Sequence, residues 1–229
     1  MVPSVLVDFD GTIAIEDTTD LLLERFADPL WRQVEADWVA GRIGSRECLS
    51  RQIDLVHASP VEIGWLADSV AVDPSFVDFV ATGRALGLRL VIASDGFDFI
   101  ISRVLARIGV ALPVVSNRML PTGANSWRAE FPHFLGDCRS QSGNCKCALF
   151  GINPPPTILI GDGRSDFCPA EQATLVFAKN ALATQCQESG IDHIKIAGFS
   201  DATLALRAYC QAQNRMGTSS LDESEAFHA

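Results

Sequence analysis

Ser4-Val5-Leu6-Val7-Asp8-Phe9-Asp10-Gly11-Thr12 carries four residues of strand character straight into two carboxylates, a glycine and a hydroxyl. A strand buried on both faces reads as a short continuous apolar run. Ligands in open α/β sheets bind beyond the carboxyl ends of such strands. This strand therefore delivers Asp8 and Asp10 to the edge where α/β folds do chemistry, and alternation places both side chains on one side of its end. Two carboxylates that close repel unless a cation lies between them or one holds a proton. The backbone N–H groups of the Gly11-Thr12 turn and the Thr12 hydroxyl suit an anion. An aspartate beside a metal is a competent nucleophile towards phosphorus, and its neighbour can serve as acid and base. Taken alone, the same residues also suit a plain strand-ending turn, so the rest of the chain has to decide.

Further along, two more apolar runs end in polar residues. Leu88–Ala93 leads into Ser94-Asp95-Gly96, and Thr157–Ile160 leads into Gly161-Asp162-Gly163-Arg164-Ser165-Asp166. Parallel strands share a carboxyl edge, so the three endings converge on one crevice. Asp162 and Asp166, spaced i, i+4 across a loop-to-helix turn, both face the first carboxylates. With Asp8 and the backbone carbonyl of Asp10 they form an oxygen-only ligand set, which suits Mg²⁺. Lys146, opening a short helix over 146–150 just before the third strand, supplies a point cation near the carboxylates and a transferring phosphoryl group.

Strands alternating with helices predict a doubly wound parallel α/β sheet. Residues 1–15 and 72–213 are expected to form this core, with additional strands at 174–178 and 191–196 and a small antiparallel flap within 110–134. From Glu16 to Ala71 the chain has helical periodicity and no strand candidate, so a small helical cap is expected after the first strand. Ser45 is a plausible N-cap there; Trp31, Trp38 and Trp65 read as cap core, and Ser59-Pro60 opens a further helix. Asn153 and the proline run at 154–156 should stop the short helix that Lys146 opens, and 214–229 reads as a disordered tail.

The 229 residues are 48% hydrophobic and 20% charged, with a net charge of −10, a pI near 4.8 and mean hydropathy +0.18. Such a chain has no basic field for nucleic acid or an anionic membrane. It has no uninterrupted apolar span of membrane length and no basic leader, so a soluble cytoplasmic protein is expected. Its oligomeric state is not legible. Seven cysteines in that setting imply free thiols. Cys138, Cys145 and Cys147 raise a structural zinc, but C-x₆-C-x-C lacks paired knuckles, so reduced thiols are the expectation. The four histidines lack metal spacing and receive no role.

Asp8-Phe9-Asp10-Gly11-Thr12, Ser94-Asp95-Gly96, Lys146 and Gly161–Asp166 resemble, in order, the four motifs of the haloacid dehalogenase-like (HAD) superfamily, over about residues 4 to 210. The resemblance implies a Rossmann-like core, Asp8 as the nucleophile that forms an aspartyl-phosphate, and Asp10 as the group that protonates the leaving oxygen and later activates water. It places Ser94, Gly96 and Lys146 on the phosphate and Asp162 and Asp166 on the Mg²⁺ side. An Asp at the position of Asp10 marks phosphatases rather than dehalogenases. The helical insert is similar to the phosphoserine phosphatase branch. Asp17-Thr18-Thr19-Asp20, the tract 41–52 and Asn144-Cys145-Lys146 resemble the methionine-salvage type that acts on 2-hydroxy-3-keto-5-methylthiopentenyl-1-phosphate. Gly161-Asp162-Gly163 with Asp166-Phe167-Cys168-Pro169 resembles the phosphoethanolamine/phosphocholine group. Where phosphoserine phosphatases carry a cap arginine for the substrate carboxylate, this chain has Gln52, with Arg51 beside it. Asp17 falls where the branch has a substrate-facing acid, although a first-turn acid is also favoured by the helix dipole alone. The expected activity is Mg²⁺-dependent hydrolysis of a small phosphorylated metabolite. The rivals are a phosphotransferase or mutase, and a binding module without turnover.

Overall fold

In the computed structural model, which describes residues 3–152 and 156–225, β1 (Ser4–Val7) lies at the middle of a seven-stranded sheet. It pairs in parallel with β2 (Arg89–Phe97) on one side and β5 (Thr157–Gly161) on the other. Ser4 stands opposite both Arg89 and Thr157, and Val7 opposite both Ile92 and Ile160, so the three strands run in register to Val7, beyond which β2 continues to Phe97. β6 (Leu175–Ala178) and β7 (His193–Lys195) continue the parallel sheet beyond β5. On the other side β3 (Val114–Pro121) pairs in parallel with β2, and β4 (Trp127–Glu130) folds back antiparallel onto β3. The expected flap is thus a hairpin whose first strand belongs to the main sheet.

Alternation along the strands builds a core on each face. Val5, Val7, Ile92, Ile160 and Phe177 pack with α5 (Phe76–Ala85), α6 (Asp98–Arg107) and the start of α10 (Phe199–Glu225). Leu6, Val91, Leu159 and Val176 pack with α7 (Ala148–Ile152) and α9 (Asn180–Ser189). Full burial of each such side chain contributes about 1.5–3 kcal/mol. Phe199 sits against Phe76 and Phe79, with ring centroids 4.8 and 5.0 Å apart, and so fastens α10 to α5.

Between β1 and β2 lie α1 (Thr18–Phe26), α2 (Trp31–Val39), α3 (Ser45–Asp54) and α4 (Pro60–Ser69), followed by α5. An isolated bridge between Ala14 and Val72 pins the two ends of this insert together. The expected helix start at Ser59-Pro60 carries a full capping box with Glu62 and proline in the first turn, a combination that fixes a helix start. α8 (Phe167–Ala170) follows a 3₁₀ turn at Arg164–Asp166.

Several expectations are corrected. Gly44, not Ser45, occupies the cap position of α3, without a side-chain bond; the Ser45 hydroxyl instead donates to Asp95 Oδ2 at 3.0 Å. The helix after Lys146 begins at Ala148, which leaves the lysine on a turn; Asn153 and the first two prolines of the run lie outside the described residues. Trp31 is buried, but Trp65 is 64% exposed, and Trp38 is half-buried with the Arg164 guanidinium 5.1 Å over its ring. Helical periodicity marks a face without saying what covers it. α10 runs on to Glu225, so 214–225 is helical backbone where a disordered tail was expected; 226–229 lie outside the described residues. Among the described residues no helix is long and apolar enough to cross a membrane.

Candidate active site

The carboxyl ends of β1, β2 and β5 open onto a crevice of about 1120 Å³, roofed by residues of α2 and α3. Asp8, Asp10, Gly11, Asp17, Gly96 and Asp162 line it. Thr12, Ser94, Lys146 and Asp166 are buried; the first three each reach one of the lining carboxylates, and Asp166 pairs with Lys146 and accepts from the Asp162 and Gly163 N–H groups. The sequence-predicted residues are therefore brought together in two layers.

Lys146 holds the lower layer. Its Nζ lies 2.8 Å from Asp8 Oδ1 and 2.7 Å from Asp166 Oδ1, and it donates to Ser165 Oγ at 3.0 Å. The lysine side chain is 1% exposed, Asp8's 6% and Asp166's 0%. Burial favours a neutral amine, yet Asp166 and Asp8 together hold Lys146 firmly protonated. Burial, followed by repulsion from Asp166, pushes Asp8 well above the usual carboxylate range, against the pull of Lys146. Asp8 Oδ1 also accepts from Phe9 N–H at 2.7 Å, which leaves Oδ2 without a donor among the described residues.

Asp10 is held differently. Its Oδ1 accepts from both the backbone N–H and the hydroxyl of Thr18, at 2.8 and 2.6 Å. The Ser94 hydroxyl donates to its Oδ2 at 3.4 Å while accepting from Gly96 N–H at 2.9 Å. Burial and the Asp17 charge push Asp10 up to about 7, although the Thr18 bonds oppose the rise. Asp17 caps α1, accepting from Thr19 and Asp20 N–H. It also lines the crevice, so its capping and its access to the crevice coexist. Burial and Asp20 raise it to about 6.

Asp162 accepts from Thr12 Oγ1 at 3.4 Å, and burial raises its pKa. Gly11, at φ +66°, runs so close to this carboxylate that a Cβ would collide with Asp162 Oδ2. Gly96 is constrained likewise by Asp10 Oδ2. Asp8, Asp162 and Asp166 each present an oxygen within 4.8 Å of the others. Three crowded carboxylates, two of them buried and Asp162 half-buried, against one ammonium leave excess negative charge, and the donors are all oxygen. The residues fit a hard divalent cation such as Mg²⁺.

Sequence reasoning missed Thr18, whose double bond to Asp10 comes only from the placement of the α1 N-terminus. It also missed Lys179 and Asn180. Lys179 Nζ donates to Gly11 O at 2.8 Å, and Asn180 Nδ2 to Asp162 Oδ2 at 3.3 Å. A signal for them existed, because they follow β6 as the polar ending of a fourth parallel strand. Asp95 accepts from Asn117 Nδ2, Asn144 N–H and the Ser45 hydroxyl, so it ties α3 to the strand ends. Arg164 lines the crevice and stacks on Trp38.

Comparison with known proteins agrees with this geometry. A model of the haloacid dehalogenase-like hydrolase family matches residues 5–171. A 2-hydroxy-3-keto-5-methylthiopentenyl-1-phosphate phosphatase of Geobacillus kaustophilus is 30% identical over 210 residues, 87% of this chain and 93% of that protein. One from Bacillus velezensis is 27% identical, over 92% of each chain. Among solved structures, a substrate-bound phosphoserine phosphatase superimposes with a TM-score of 0.66 at 17% identity, over 88% of this chain and 96% of that one. A phosphoserine phosphatase from T. onnurineus gives 0.64 at 15%, over 89% and 93%.

Proposed function

The chain belongs to the haloacid dehalogenase-like hydrolase family as one of its phosphatases, and on that premise we propose that it hydrolyses a small phosphate monoester through an aspartyl-phosphate on Asp8. The observation that carries this is the pairing of Asp8, fixed by Lys146, with Asp10, fixed by Thr18, at the end of one strand. Asp8 attacks phosphorus through Oδ2, the oxygen that Lys146 and Phe9 leave free, and the bond from phosphorus to the leaving oxygen breaks. Asp10 gives its proton to that oxygen. Water then attacks phosphorus and gives a proton to Asp10, the bond from phosphorus to Asp8 Oδ2 breaks, and phosphate leaves with the carboxylate restored. A carboxyl titrating near 7 can both give and take a proton at neutral pH. Mg²⁺, held by Asp8, Asp162, Asp166 and the Asp10 carbonyl, would offset the charge of the phosphoryl group. Thr12, Gly96, Ser94 and Lys146 line or support the phosphate position, with Asp17 on the leaving-group side. Residues 16–71 act as a cap over residues 1–15 and 72–213, keeping bulk water from the transfer.

The favoured substrate is 2-hydroxy-3-keto-5-methylthiopentenyl-1-phosphate, on which the named relatives act. The crevice supports this over phosphoserine. Gln52 is buried and its amide donates to Glu35 at 2.8 Å, and Arg51 pairs with Glu47. Arg42 and Arg139 are likewise engaged, by Asp37 and Glu171. A substrate carboxylate would therefore meet Asp17, Asp20 and Glu35, and of the three arginines that line the crevice only Arg164, stacked on Trp38, is outside an ion pair among the described residues. Phosphate release with Mg²⁺ from this enol phosphate, phosphoserine, phosphocholine and phosphoethanolamine, with Asp8→Asn as the blank, tests the reading. Preferential release from the enol phosphate, lost in Asp8→Asn, is expected. Equal release by Asp8→Asn would refute the aspartyl-phosphate, and preference for phosphoserine would refute the substrate.

A further inference from the structure

Lys146 reaches Asp8 and Asp166 from residues 131–147, which form neither helix nor strand. Loops of that length without regular structure are uncommon inside compact domains, and a buried lysine needs a fixed backbone beneath it. Contacts on two sides hold this one. On the sheet side, Asn144 lies two residues before the lysine. Its side-chain amide donates to the Ser94 and Val115 carbonyls, both at 2.8 Å, and its backbone N–H to Asp95 Oδ1 at 2.8 Å. On the cap side, the loop meets the start of α3. Arg46 N–H donates to the Gln141 carbonyl at 2.9 Å, and the Arg46 guanidinium lies 4.1 Å over the Phe134 ring. Gly44 runs so close to Gln141 that a Cβ would collide with its side chain.

One carboxylate belongs to both sides. Asp95 Oδ1 accepts from Asn144 N–H and, at 3.1 Å, from Asn117 Nδ2, whereas its Oδ2 accepts from the Ser45 hydroxyl at 3.0 Å. Asn117 also donates to the Asp95 carbonyl at 2.6 Å, so β3 fixes this residue through main chain and side chain together. The amide oxygens of Asn117 and Asn144 are buried without a donor among the described residues, which costs free energy. Turning either amide over would set its oxygen against carbonyl and carboxylate oxygens. Two buried amides thus leave their own acceptors unpaired to serve the strand ends and Asp95. Asp95 lines the crevice, yet no step of the proposed hydrolysis uses it.

We propose that Asp95 is a positioning residue that joins the cap to the Lys146 loop, so that docking of α3 and the placement of Lys146 beneath Asp8 depend on one another. Through Oδ1 it anchors the loop to the ends of β2 and β3. Through Oδ2 it draws the start of α3 onto that loop, where Arg46 adds its bond to Gln141. With the cap docked, the loop is held on both sides. With the cap displaced, it keeps only its contacts to the sheet, and the ammonium loses the fixed position that Asp8 needs. The inference rests on the reading of Asp8 as nucleophile and Lys146 as its partner, and it holds for any phosphate ester.

The test compares Asp95→Ala, Asp95→Asn and Ser45→Ala in the full chain, by Mg²⁺-dependent phosphate release from the enol phosphate and by amide hydrogen exchange. Asp95→Ala should lower kcat at least about tenfold, as loss of a hydrogen bond to a charged group does. KM should change less than about threefold, because a displaced ammonium is felt in the transfer step. In Asp95→Asn the amide oxygen still accepts from Asn144 and Asn117, and the amide nitrogen donates to the Ser45 oxygen. Its kcat should return to within about threefold of the parent, since the same contacts are made. Parent kcat in Asp95→Ala, a loss confined to KM, or an asparagine variant no better than alanine overturns the proposal. Ser45→Ala removes only the cap contact, at a half-buried first-turn position where alanine suits a helix, and its exchange is read without turnover. Exchange should quicken at the Arg46 amide and also at those of Asn144 and Cys145, which are bonded to Asp95 and the His133 carbonyl. Quickening confined to the cap, or none, overturns the proposal even where Asp95→Ala fails to fold. Phosphate release that survives Asp8→Asn refutes the nucleophile instead, and the exchange comparison then decides on Asp95 alone.

Discussion

Replacing Lys146 by Met keeps an unbranched apolar stem of similar volume and removes only the charge, so the loss reports the two contacts of its ammonium. Those contacts are 2.8 Å to Asp8 and 2.7 Å to Asp166, with all three side chains at most 6% exposed. Removing one partner from a buried ion pair costs about 3–5 kcal/mol, because the other charge stays desolvated and unpaired. A domain of this size changes Tm by about 2–4 °C per kcal/mol, so Lys146→Met should melt roughly 6–20 °C lower. Asp8, already raised by burial and by Asp166, loses the opposing pull of Lys146 and can escape by binding a proton, so stability is retained at low pH and lost as pH rises through its folded value. The deficit should accordingly be smaller at pH 5 than at pH 8. Urea unfolding in EDTA at both pH values measures it, and adding Mg²⁺ should restore part of the loss by supplying positive charge to the same carboxylates. A variant within about 1 kcal/mol of the parent at pH 8 in EDTA would refute the reasoning, since an exposed pair is worth no more than that.

Thr18→Val deletes the 2.6 Å hydroxyl bond to Asp10 and keeps the backbone one; kcat should fall about 10–100-fold, part of the effect of a positioned acid–base group, with KM little changed. An unchanged kcat would remove Thr18 from the mechanism. Asp10, raised to about 7 in the fold, stabilises the folded state most at low pH and loses that contribution as pH climbs from about 4 to 7. In EDTA, Asp10→Asn should therefore flatten the fall of the urea midpoint over that window, and an identical slope in both proteins would contradict the assignment. Trp127→Phe should cost about 1–3 kcal/mol in urea unfolding, because Ala58 C=O loses a buried 2.7 Å indole donor that joins β4 to the segment before α4. A loss below about 0.5 kcal/mol would mean that water replaces the indole there.

Much of the site was legible because its residues stand at strand ends. Val5, Leu6 and Val7 can only be a buried parallel strand, and once three such strands share an edge, Asp8, Asp10, Ser94 and Asp162 must meet. Thr18 and Asp95 were opaque for the opposite reason. Each acts on a partner far away in the chain or across an element boundary, where no period or spacing rule reaches. Ser45 illustrates the error this produces: a hydroxyl at a helix start suggests a cap, but the neighbouring strand end offered Asp95 instead.

The sequence by itself determined the alternation of strands and helices, the position of the insert and the carboxylates at the crevice, since local pattern and parallel topology dictate all three. Only the tertiary structure decided which layer each residue occupies. Lys146 sits beneath Asp8, and Gln52 is turned to Glu35. Trp38 faces Arg164 across the crevice, and Arg139 reaches Cys168 and Glu171. Those choices depend on how separate elements pack, and packing energies are summed over neighbours that the chain order does not reveal.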